Sequence, residues 1–162
     1  MIIKRPDIRV AVIAGITAGA GYLVQQEIDN RLTGRNLDDL LLLGRPIAKT
    51  RLRAKTLGAL IHVANSAGIG IVHAIAANDR LPGPAWARGM LFLTMENCIL
   101  YPVMLLDRHH PAVKSGEIAP YWTLPAFLQS FPRHLVFGAI LGIIYEELHP
   151  KEDTVEETAR DR

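Results

Sequence analysis

The chain has 162 residues, 49% of them hydrophobic, with 18 Lys/Arg against 16 Asp/Glu and a mean hydropathy of +0.17. That length suits one domain, and the apolar excess stands above ordinary soluble proteins. A net charge of +2 with no basic face interleaved with aromatics argues against nucleic acid, and the lone Cys98 leaves no intramolecular disulfide and no Cys/His zinc spacing.

Charge is confined to the ends and connections, and four uncharged blocks lie between them. The start, MIIKRPDIRVAVIAGITAGAGYLV, couples basic residues to an apolar run in the manner of a signal peptide. No small-x-small cleavage site leads into a polar domain, so the reading is a retained first span over 8–28. Gly15 and Gly19 form a GxxxG pair that admits close approach of another backbone.

The basic connection from Arg31 to Lys55 contains NLDDLLLLG, which reads as a short interfacial helix. Asn36 is its expected cap, Asp38 and Asp39 favour the positive end of its dipole, and Gly44 with Pro46 stops it. Its leucines place it on the membrane surface or against the end of the bundle.

From Thr56 to Asn78 there is no formal charge, yet His62, Asn65, Ser66 and His73 fall in one stripe at helical spacing. As a helix this second span, 56–78, measures roughly 34 Å against a hydrocarbon core of about 30 Å. Its polar stripe is expected to face other helices or a wet cavity, because an unpaired polar group in lipid costs several kcal/mol. Gly68 continues the small-residue theme.

Pro82 and Pro84 permit a tight turn into the third span, 85–107, where Trp86 suits the interface and Pro102 predicts a kink. Glu96 and Asn97 lie near its middle. A carboxyl at that depth must be protonated, paired or wetted, so Glu96 is the sharpest candidate for proton, ion or ligand binding; His62 or His73 is the expected partner. Its simpler role is a buried hydrogen bond joining the second and third helices.

The Pro- and aromatic-rich stretch from Asp107 to Arg133 reads as a connection, and the fourth span as 131–148, with Gly138 and Gly142 as a second GxxxG. Residues 1–149 form a single helical membrane domain, followed by a charged, flexible tail at 150–162. The expected fold is therefore all-α, a polytopic membrane protein of about four transmembrane helices.

No cofactor or metal is expected. Two histidines eleven residues apart on one face lie about 16 Å apart, and the conceivable exception is a haem or chlorin between His134 and either His62 or His73. Glu146-x-x-His149 is half of a di-metal carboxylate motif and lacks its second copy. No nucleophile elbow, phosphate loop or dinucleotide fingerprint occurs, which argues against an enzyme.

With four short spans, glycine-rich first and fourth helices and the closing HLVFGAILGIIYEEL, the chain resembles the small bacterial inner-membrane proteins typified by the YagU-like group. That resemblance implies a multi-pass protein of the bacterial inner membrane and transfers no catalytic residues. Two functions fit. One is an accessory, helix-packing subunit that associates with itself or with a larger membrane complex through its GxxxG faces; the other is a proton, ion or small-molecule carrier using Glu96, His62, His73, Asn65 and Asn97. They differ in whether the polar stripe meets a dry bundle or a cavity. A soluble helical domain would have to bury the first two helices under a chain too short to cover them.

Overall fold

Asp7 accepts hydrogen bonds from the amides of Arg9 and Val10, and so starts α1, Ile8–Thr33, in the computed structural model of the chain, which describes residues 6–149. Gly34, at φ 65°, ends it in the left-handed conformation that glycine adopts without strain. A short α2, Asp39–Gly44, follows; its cap is Asp38, whose carboxylate accepts from the Leu41 amide at 3.1 Å, rather than Asn36. Asn36 instead donates to the Glu117 carbonyl at 2.7 Å and ties the first connection to the third.

Helix α3, Arg51–Val72, runs into a π-helical turn, His73–Ala77. Helix α4, Ala85–Leu100, continues as a 3₁₀ helix, Tyr101–His109, so that Pro102 tightens the helix where a kink was expected. After a single turn, α5 at Pro111–Lys114, α6 covers Leu124–Leu148. The fourth long apolar helix therefore begins at Leu124, ahead of the expected 131. Pro125 lies in its first turn, where its missing N–H costs nothing, and Pro132 sits inside an apolar helix sheltered by its neighbours. Thr123 caps it, its hydroxyl accepting from the Ala126 amide.

Four helical stretches, 8–33, 51–77, 85–109 and 124–148, are long and apolar enough to cross a membrane, and no strand occurs among the described residues. Their outward surface carries Leu52, Leu60, Ile99, Leu106, Leu124 and Leu128, all more than half exposed. The tail at 150–162 lies outside the described residues.

Small residues set the packing. Gly15 and Gly19 lie against Ser66 and Gly70 of α3, while Gly138 and Gly142 of α6 lie against Gly89 and Ala85 of α4; a side chain at any of these glycines would strike the facing helix. Gly44 and Gly58 join α2 to α3 in the same way. Gly68, by contrast, faces open space. Close packing thus joins α3 to α1, α1 to α6 and α6 to α4. The fourth seam, between α3 and α4, lacks comparable packing, and α4 meets the π-helical turn at its far end.

Candidate functional site

Along that loose seam the structure holds a cavity of about 240 Å³. Helix α3 contributes His62, Asn65 and Ser66; α4 contributes Glu96 and Asn97; α6 contributes Ser130 and His134. Tyr22 of α1 forms the inner wall, and Leu37, Leu42 and Leu43 close the end beside α2. Three of the four residues in the polar stripe of α3, His62, Asn65 and Ser66, thus line a cavity.

The partner of Glu96 is His134, not His62 or His73: His134 Nε2 stands 3.5 Å from Glu96 Oε2. The pair is largely enclosed, with side-chain exposures of 16% and 22%. Glu96 Oε2 itself is buried and accepts no hydrogen bond. The other nitrogen, His134 Nδ1, lies 2.8 Å from the Ser130 carbonyl four residues earlier, so it must carry the proton. Neutral His134 then presents a lone pair to a carboxyl oxygen. His62 follows the same rule, its Nε2 donating to the Gly19 carbonyl at 3.0 Å. Asn97 exchanges hydrogen bonds with Ser130 at 2.8 and 3.2 Å, which joins α4 to α6 below the pair. Asn65 is exposed and lies at the rim.

His73 takes no part in this cavity. It is fully buried against Phe92 and Tyr145, with ring centroids 5.5 and 6.0 Å away, and neither ring nitrogen has a hydrogen-bond partner. The Tyr22 ring contacts both His62 and His134, its centroid 5.6 Å from His62 and 5.3 Å from His134. Among the described residues no three His, Cys, Asp or Glu side chains converge as metal ligands, and Glu146 is engaged by Arg88.

One wall of the cavity, through Tyr22, Asp39, Tyr121 and Arg133, belongs to a buried ionic network that reading the sequence missed. Arg133, 1% exposed, grips Asp29 through two bonds of 2.7 Å, donates to Asn30 at 3.0 Å and to the Leu37 carbonyl at 3.2 Å, and reaches Asp39 at 3.4 Å. Tyr22 and Tyr121 each donate to one oxygen of Asp39 at 2.5 Å. Burial, reinforced by the Asp39 carboxylate, pushes the Tyr121 phenol well above its ordinary range, so it remains a donor. The Asp39 amide donates to Gln26, and Gln129 donates to Asp29 and Asn30. A signal was available: Gln26, Asp29 and Asn30 share one face of α1, and Gln129 with Arg133 share one face of α6.

At the outer end, Arg45 binds Glu117 and so fastens the first connection to the third. That hydrogen bond holds the Glu117 carboxyl below its ordinary value. No protein-family model, no curated protein and no solved structure matches the chain.

Proposed function

We propose that the protein is a multi-pass protein of the bacterial inner membrane that carries a small molecule, bound in the cavity between α3 and α4. One observation supports this reading above the others: the cavity lies between helices of membrane-spanning length and places a buried, unbonded carboxyl oxygen of Glu96 beside His134. An accessory subunit that recruits partners through its glycine faces is less well supported, because Gly15, Gly19, Gly138 and Gly142 are already covered by the chain's own helices. Four apolar helices of membrane-spanning length support the multi-pass part of this reading, and the bacterial inner membrane is the part that rests on the YagU-like resemblance alone.

The test is a thermal-shift screen of the full chain in lipid nanodiscs against small amines, alcohols and acids, run beside Asn65→Trp. Asn65 stands exposed at the rim, so an indole there obstructs the cavity without entering a packed contact. A binding compound raises Tm in proportion to its occupancy, and the rise is expected to vanish in Asn65→Trp. A screen without any shift, or shifts that survive in the blocked variant, would overturn the reading.

A further inference from the structure

We propose that Glu96 and His134 form a proton–cation exchange site: with the cavity empty the pair holds one proton, and a ligand bearing a protonated amine replaces it. This rests on the cavity being a binding site.

The argument is an inventory of donors. The Arg133 guanidinium is directed at Asp29, Asn30, Leu37 and Asp39, and none of its hydrogen bonds leads to the pair. Asp39 receives a tyrosine hydroxyl on each oxygen, which also commits the donors of Tyr22 and Tyr121. Tyr101 donates to the backbone carbonyls of Tyr121 and Thr123. His62 uses its N–H on Gly19, and His134 uses its own on Ser130. Beyond these engaged donors, α3 offers two neutral ones in the lining, the Asn65 amide and the Ser66 hydroxyl, and the facing atoms of the pair itself are both acceptors: Glu96 Oε2 and His134 Nε2, 3.5 Å apart.

Two acceptors cannot satisfy each other without a proton, whichever of them holds it. An ammonium nitrogen set off the line between them reaches both, and the aromatic rings of Tyr22, Tyr101 and Phe137 line the same cavity, as suits a cation with an apolar body. The step balances. The carboxyl–imidazole pair with its one proton takes up R–NH₃⁺, becomes a carboxylate and a neutral imidazole hydrogen-bonded to the ammonium, and releases one proton to water. An anion finds no unengaged cationic side chain in this lining, because Arg133 is committed to its own network.

The experiment is calorimetric titration of the full chain in nanodiscs with benzylammonium, benzyl alcohol and benzoate, in two buffers of different ionisation enthalpy. Benzylammonium is expected to bind best, to release about one proton per molecule bound, and to bind more tightly as pH rises. Glu96→Gln should abolish proton release and weaken benzylammonium about tenfold or more, while benzyl alcohol, which needs no counter-ion, still binds and shows that the cavity is intact. Benzyl alcohol or benzoate binding as tightly as the cation, or benzylammonium binding without proton release, overturns the exchange site and leaves the cavity reading standing. If none of the three binds, both fall.

Discussion

Arg133→Met removes the one cation from a buried cluster that contains Asp29 and Asp39, and the structure sets the size of the effect. Arg133 and Asp29 are 1% and 6% exposed, and two parallel bonds of 2.7 Å join them. Methionine approximates the volume, so the loss is electrostatic: a buried carboxylate at Asp29 left without its counter-ion, worth about 3–5 kcal/mol. For a chain of this size, with about 2–4 °C of Tm per kcal/mol, the melting point should fall by roughly 6–20 °C. Asp29→Asn keeps an acceptor and should cost about 1–3 kcal/mol. The assay is a double-mutant cycle by thermal unfolding in one detergent, with Arg133→Lys as a control that keeps the charge but loses the fork. The double variant should be more stable than the sum of the singles implies. A cost below about 1 kcal/mol for Arg133→Met, or singles that add within about 0.5 kcal/mol, would refute the reasoning.

Tyr121→Phe deletes one of the two hydroxyls on Asp39 and should lower stability by about 1.5–3 kcal/mol, checked in the same melts. Gly89→Ala drives a methyl into the Gly138 backbone and should cost about 1–3 kcal/mol, whereas Gly68→Ala meets nothing and should be neutral or stabilising by up to about 1 kcal/mol; unequal melting points of the two check the packing. Because Glu117 is held below its ordinary value in the folded chain, its link to Arg45 stabilises above about pH 4 and is lost as pH falls through the lowered value. Glu117→Gln should therefore be less stable than wild type at neutral pH, and the gap should close in acid, as melts across a pH series will show.

The four long apolar helices were legible because apolar length is a property of the chain alone, and α2 was legible because Asp38, Asp39 and Gly44 mark its ends locally. The start of α6 was misplaced for an equally local reason. Pro125 and Pro132 argue against a helix in water, but neighbouring helices shelter the freed carbonyl that proline creates. Pairing was not legible. Glu96 could be seen to need a partner, yet choosing His134 over His62 or His73 requires knowing that α6, and not α3, packs along α4. Arg133 was overlooked because it sits where a span was taken to begin, and a charge at a boundary ordinarily points to water. Asp29, Asp39 and Arg133 form a unit only through contacts between distant parts of the chain.

That distance has a consequence for how the protein is made. Arg133 follows Asp29 by 104 residues and Asp39 by 94. At 5–20 residues per second a ribosome needs roughly 5 to 20 s to travel from Asp29 to its counter-ion. Until Arg133 emerges, α1 to α5 lack α6, the two carboxylates have no guanidinium to meet them, and those groups must stay turned toward water. Helix α6 therefore neutralises α1 from the far end of the described chain, and a chain cut short before Arg133 exposes an acidic seam by which an unfinished bundle differs from a finished one.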